Sequence, residues 1–293
     1  RMENTVIRNE RGDPENILQL IGRRLHPLGY TIRSAILDFR RYGVPHHRDR
    51  LITIGCRLPS IVQEIQPLDE FFSKDLSDLH PVPSHGGSGL PSPITLREAV
   101  GSLPSLDALS KLSDSEDPYH RVPRWNERQY YWMRNTPEGE TAFDNNRCIH
   151  CKTDGHASEV VFCRTCKKPL PKPTISKNGV ARLVRGFRTS YRRMSWDKPA
   201  STLTMNSGVI SSDLKGHPDQ HRVLSLREIL ILSTLDHSSW NRTYQFEGVR
   251  HGRRQADLDF SPRLVREVVG ESIPPLGMHH IIQHLADLDG RLK

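Results

Sequence analysis

The sequence predicts an α/β fold carrying a small inserted metal-binding module, and three observations lead to that expectation. An amphipathic stretch at residues 14–30 is followed by two β-like runs, Tyr30 to Phe39 and Arg50 to Cys56. Two Cys-x-x-Cys pairs, Cys148/Cys151 and Cys163/Cys166, stand close together in a segment with little apolar material. Between these regions, residues 66–95 are rich in Pro and Gly, a composition that favours loop over packed structure. A chain of 293 residues has room for one large domain or two smaller ones, each with a core.

Ile17, Leu18, Ile21, Leu25 and Leu28 recur at the spacing of a helix with one apolar face, and Pro27 and Gly29 end it. The second β-like run, with Leu51, Ile52 and Ile54, is set off by Gly43 and Pro45 on one side and Arg57 on the other. A short helix is expected at 95–103, with Thr95 as cap and Glu98 completing a capping box. Residues 104–147 read as polar and irregular, with aromatics at Trp125, Tyr130, Tyr131 and Trp132. Ser225 and Glu228 cap another helix running through Leu235, and Pro262 to Val269 and Leu276 to Leu285 read as helical around a Pro274-Pro275 break.

The net charge of +8 is concentrated: residues 164–198 hold eleven Lys or Arg against the single acid Asp197, which leaves the rest of the chain near −2. Such a local excess is the footprint of a protein that follows a phosphate backbone, because each cation on a phosphate releases condensed counterions. A solvated basic face is the plainer alternative. No run approaches the roughly 20 apolar residues that cross a bilayer, and no charged-then-apolar leader opens the chain. The expectation is a soluble cytoplasmic, nucleoid-associated protein.

Four of the five cysteines lie in the two pairs, a pattern that suits a metal in a reducing compartment better than a disulfide framework. Cys148, Cys151, Cys163 and Cys166 at this spacing present four thiolates tetrahedrally to one Zn²⁺. His150 and His156 are alternative ligands, and a redox pair or ordinary cysteines are the plainer readings. With no open coordination position implied, the zinc is structural and replaces a core that so small a module cannot build. Cys56 reads as a packed strand residue.

Tyr42 to Arg57, YGVPHHRDRLITIGCR, resembles the motif of DNA cytosine-5 methyltransferases in which Gly-Val-Pro precedes Gln-x-Arg-x-Arg and a hydrophobic strand. His46 replaces the glutamine, while Arg48 and Arg50 match. Upstream, Glu3-Asn4-Thr5 looks like the Glu-Asn-Val motif of that family. Tyr191 to Thr204, His217-Pro218, Arg222 to Ser225 and Arg227-Glu228 resemble the block that supports the recognition domain. Val269 to Pro275 is similar to the final Gly-Asn-x-Val-Pro-Pro motif beside the cofactor, with Glu271 for Asn and Ile273 for Val. No Phe-x-Gly-x-Gly loop and no Pro-Cys pair occurs in the 293 residues, whereas in the family both precede the Glu-Asn-Val segment.

The resemblance implies the C-terminal part of such an enzyme: a partial Rossmann-like methyltransferase domain with an inserted zinc-binding target-recognition domain. On this view residues 1–60 are the late strands and helix of the catalytic domain. Residues 61–190 form the variable recognition region, with the zinc module at about 145–170, and 191–293 are recognition-domain support and returning helices. A second chain or upstream segment would supply the S-adenosylmethionine loop and the nucleophile.

In this chemistry cytosine leaves the double-stranded DNA, and a thiolate adds at carbon 6 so that carbon 5 accepts the methyl group. By resemblance Glu3 holds cytosine N3 and the exocyclic amine, Arg50 reaches O2, and Arg48 braces the pocket or a phosphate. Gly270, Glu271 and Ser272 border the cofactor. Arg164, Lys167, Lys168, Arg185, Arg188, Arg192 and Arg193 are expected to hold backbone phosphates. A restriction–modification role is the setting the resemblance suggests. A non-catalytic DNA-binding module derived from a methyltransferase and a generic zinc-ribbon nucleic-acid protein are the competing readings.

Overall fold

In the computed structural model, which describes residues 4–57, 78–109, 115–240 and 261–290, the N-terminal helix is shorter than its apolar periodicity suggests. Pro14–Asn16 (β2) is extended and pairs antiparallel with Val6–Arg8 (β1). The helix α1 spans Ile17–Leu25, because the Asn16 side chain accepts a hydrogen bond from the Leu18 amide and caps it there. A single 3₁₀ turn at His26–Leu28 follows.

Thr31–Asp38 (β3) and Asp49–Cys56 (β4) form an antiparallel pair, with Leu37 opposite Arg50 and Thr31 opposite Cys56. Side chains alternate between faces, so Arg33, Ala35, Leu37, Arg50, Ile52 and Ile54 share one face. On the other face the Ser34 and Thr53 hydroxyls meet at 2.8 Å. The described strands form three two-stranded antiparallel sheets. The structure is thus mixed α/β, and a parallel Rossmann-type sheet is not among the described residues.

The chain divides into two compact units, Arg1–Pro93 with Pro274–Lys293, and Ile94–Ile273. These boundaries do not coincide with the positions 60 and 190 suggested by the sequence. In the first unit the helix Pro275–Leu288 (called α6 below) lies near the turn that follows β3, where Tyr42 and His280 approach at 5.7 Å between ring centroids. Residues 78–95 carry no helix or strand, as their composition suggests, and 58–77 lie outside the described residues.

In the second unit, α2 (Leu96–Val100) and α4 (Leu226–Leu232) begin at the expected capping boxes, Thr95 with Glu98 and Ser225 with Glu228. Between them Glu127–Arg134 is a helix, α3, in a stretch whose composition reads as irregular. Asn126 and Gln129 form its capping box, and Trp132 and Met133 are buried. Thr174–Lys177 (β5) and Val180–Leu183 (β6) form a hairpin that the composition of the basic run conceals. Pro262–Glu271 is α5.

One core of this unit packs Leu96, Trp196, Leu226, Ile229, Val265 and Val269. A second gathers Trp125, Trp132, Phe143, Tyr191 and Val223. Inside the unit Arg222 forms a two-point ion pair with Glu228, at 2.7 and 2.8 Å, with both side chains 1% exposed. A buried pair of this geometry is strongly destabilising to break, since it leaves an unpaired charge in the interior.

Candidate functional site

The first unit presents the Gly-Val-Pro turn. A 3₁₀ turn at Phe39–Tyr42 ends at Gly43, and Tyr42 is buried with its hydroxyl donating to the Pro81 carbonyl at 2.8 Å. His46 is buried, its Nδ1 3.0 Å from the His47 carbonyl oxygen. Burial, with Arg48 and Arg50 nearby, pushes its pKa down to about 3, so the ring is neutral and Nδ1 donates. A neutral ring donor is how this histidine fills a position where the resembling motif carries an amide.

Arg48 is 3% exposed, and burial, reinforced by the positive charge of Arg50, pushes its pKa down to about 10. Arg50 opens the buried face of β4 and is half-buried, with one guanidinium nitrogen donating to the Asp49 carbonyl at 2.9 Å. Burial lowers its pKa and the Asp49 carboxylate opposes that shift. The turn therefore sets one guanidinium inside the fold and a second at its edge, two residues apart. Glu3 lies outside the described residues.

In the second unit the four cysteine sulfurs all lie within 4.8 Å of one another. Cys148 and Cys166 are 3.6 Å apart and Cys151 and Cys163 3.5 Å. Sulfurs around a tetrahedral zinc, with bonds of about 2.3 Å, lie about 3.8 Å apart, so the donor set fits a Cys₄ metal site.

The two halves are built alike. In each, the first cysteine's amide closes a tight turn, Cys148 to Thr153 and Cys163 to Lys168, both at 2.8 Å. The residue after each second cysteine, Lys152 or Lys167, adopts a left-handed backbone, and its ammonium returns to the Ile149 or Arg164 carbonyl. Burial pushes the Cys163 thiol up, but amides aimed at its sulfur, from Cys166 at 3.5 Å and Thr165 at 3.4 Å, outweigh this and bring it down to about 5. His156 is engaged at both ring nitrogens, with the Asn146 carbonyl and the Arg164 amide, and His150 is not in the cluster. Buried Lys172 donates to the Ala157 and Ser158 carbonyls at 3.1 Å, holding the loop between the pairs.

The basic run is heterogeneous. Arg164, Lys167, Lys168, Arg185 and Arg188 are exposed, with Arg188 3.3 Å from Asp144. Arg192 is half-buried and donates to the Gly139 carbonyl. Arg193 is buried, 2% exposed, and donates to the Thr136, His217, Gln220 and Met133 carbonyls, with His221 Nδ1 at 2.9 Å. The structure thus places Arg193 among packing groups.

Gly270 is equally committed to packing. A Cβ there would stand 2.4 Å from the Met205 amide nitrogen and the Thr204 carbonyl carbon, so only glycine allows α5 to approach that backbone. The Ser272 hydroxyl donates to the Val269 carbonyl at 2.9 Å, and of the trio only Glu271 is exposed.

The model of the C-5 cytosine-specific DNA methylases matches residues 2–287. The chain belongs to that family, whose members use S-adenosylmethionine. It is similar to the Type II methyltransferase M1.HgaI of Avibacterium volantium, 27% identical over 265 residues, covering 87% of this chain and 56% of that protein. Type II methylase M.HgiDII of Herpetosiphon aurantiacus is 23% identical over 85% of this chain and 54% of its own length. Type II methyltransferase M.AgeI of Thalassovita gelatinovora is 25% identical over 86% and 65%. The chain therefore spans between half and two thirds of these relatives. A solved structure described as a DNA modification methyltransferase encoded within an E. coli prophage has a TM-score of 0.47 and 14% identity, over 93% of this chain and 64% of that one.

Proposed function

We propose that this chain is the target-recognising portion of a DNA (cytosine-5)-methyltransferase of a restriction–modification system. The adenosylmethionine loop and the Pro-Cys nucleophile reach the site from a second chain or an upstream segment. The observation that carries this reading is the Gly-Val-Pro turn, which holds Arg48 inside the fold and Arg50 at its edge. The relatives are longer than the matched region, and their names make them Type II methyltransferases.

Residues 1–60 are the late part of the catalytic domain, 61–190 the recognition region and 191–293 its support with the returning helices. A flipped cytosine is gripped on its polar edge, with Arg50 donating to O2 and the protonated Glu3 carboxyl donating to N3 and accepting from the exocyclic amine. This grip orients the ring and offsets the negative charge that grows on it when a thiolate adds at carbon 6. Arg48, inside the turn, positions Arg50. Bound adenosylmethionine supplies the methyl group for carbon 5, and Gly270, Glu271 and Ser272 border it, with Glu271 the exposed side chain of the three. The cysteine module holds a structural Zn²⁺, and Arg164, Lys167, Lys168, Arg185, Arg188 and Arg192 face the DNA backbone.

The test is methyl transfer by the assembled enzyme carrying Arg50→Ala. Turnover should fall by at least about 10²-fold, the scale of losing one charge-stabilising donor, while bound zinc is unchanged. Near-normal turnover would remove Arg50 from the site.

A further inference from the structure

The β5–β6 hairpin projects from a fixed base. Its turn is Asn178-Gly179, with φ of 53° and 74°, the left-handed pair of a two-residue type I′ connection. Leu183 and Val184 pack on the core that contains Trp132 and Tyr191. The Val184 amide donates to the Pro173 carbonyl, and the Arg128 guanidinium donates to the Thr174 carbonyl. Four-residue strands extend the ribbon about 13 Å from that base.

Register divides its side chains. Thr174 faces Leu183 and Ser176 faces Ala181 on one side, and three of these four are half-buried. On the other side Ile175 pairs with Arg182 and Lys177 with Val180, and all four are exposed. Ile175 and Val180, diagonal neighbours on this face, are 40% and 66% exposed, so two β-branched apolar side chains stand open to solvent beside two cations. Between Thr174 and Ser190 the chain carries four cations and no acid, and the return segment exposes Phe187, 81% accessible, between Arg185 and Arg188.

An exposed ribbon face that couples apolar side chains with cations matches one surface in both charge and shape. The major groove of duplex DNA admits a two-stranded ribbon, is about 8.5 Å deep, offers thymine methyls to apolar side chains and guanine O6/N7 to an arginine fork, and is walled by phosphates. We propose that the outer face of β5–β6, through Ile175, Lys177, Val180 and Arg182, enters the major groove and selects the target sequence. This rests on the reading of the chain as the DNA-recognising portion of a methyltransferase. The exposed cations of the cysteine module then set position on the backbone, and the ribbon supplies the base contacts.

The test is selection of duplexes from a randomised pool by the full 293-residue chain, followed by affinity measurement for the enriched sequence and a scrambled one at several salt concentrations. The unaltered chain should enrich one sequence. Arg182→Lys, which keeps the charge but not the planar fork, should reduce the ratio of affinities for the two duplexes by about tenfold, leaving zinc content and the salt dependence on scrambled DNA unchanged. Ile175→Ser should change the preferred base at a different position of the enriched sequence. Retention of the same sequence and ratio in both variants would overturn the ribbon as reader, as would an unaltered chain that binds duplex DNA without preference. Failure to bind any duplex would instead overturn the functional reading beneath it.

Discussion

At the scale of single residues, burial decides which charges are available for function. Arg193 sits in the most basic stretch of the chain, yet its guanidinium is enclosed by four carbonyls and His221, and burial pushes its pKa down to about 10. Arg193→Ala removes a buried donor from all four carbonyls, of which those of Met133 and Gln220 keep backbone amides, and should cost about 3 kcal/mol or more in urea unfolding. Arg188→Ala should leave stability nearly unchanged and lower the salt slope of DNA binding by about one. Burial also sets the acid response. His46 and His217 are both held at about 3, mainly by burial; Arg222 and Arg193 oppose the His217 proton, and Glu228 and Asp219 favour it. Below pH 6.5 the unfolded chain takes up protons that the folded chain refuses, so stability present above 6.5 is lost as pH falls toward 3. Glu228, raised by burial but lowered further by Arg222 to about 2, adds a loss between 4.5 and 2. Thermal melts should therefore fall from about pH 6.5 downward, with a slope approaching about 3 kcal/mol per pH unit for the two histidines. His46→Gln should remove about half of that slope, and a melting temperature flat from pH 7 to 4 would contradict the buried neutral rings.

Among the elements, those with strong local signals stand where the sequence puts them. The capping boxes at Thr95 and Ser225 start helices, and the alternation on either side of Gly43-Val44-Pro45 becomes the β3–β4 pair. Two elements escape composition. In α3 the apolar residues are aromatics mixed with charge, so no clean helical period stands out, although Asn126 and Gln129 mark its start. The β5–β6 hairpin is announced by Asn178-Gly179, a turn signal outweighed in a stretch dominated by lysine and arginine. The cysteine module has almost no core, only Cys148, Cys163 and Leu170 with Val160 and Cys166 alongside, so a metal bound by the four sulfurs would supply much of its cohesion. Chelation should raise protease sensitivity within 145–172 and alter circular dichroism, and Cys148→Ser should do the same. Unchanged spectra and DNA affinity after verified zinc removal would count against a structural metal.

For the whole molecule, family membership and length relative to its kin frame the question of assembly. The family model covers residues 2–287, while the matched relatives extend well beyond the aligned region. No helix among the described residues is long and apolar enough to cross a membrane. Native mass spectrometry of the protein from its own cells should detect this sequence, within a longer chain or a complex, together with a Pro-Cys nucleophile. A lone zinc-loaded chain of this length that binds DNA would favour recognition without modification.

The sequence by itself determined the grouping of four cysteines in two Cys-x-x-Cys pairs, the Gly-Val-Pro turn with its arginines and the capped helix starts. These depend on residues within a few positions of one another, where spacing and backbone preference suffice. Only the tertiary structure decided that Arg193 belongs to the interior, that Gly270 is a contact point for the Thr204–Met205 backbone, and that one face of the β5–β6 ribbon stays open. The physical reason is that burial of a charge or a backbone approach depends on partners far away in sequence: Thr136 and His217 for Arg193, Thr204 for Gly270, and Trp132 and Tyr191 for the base of the ribbon.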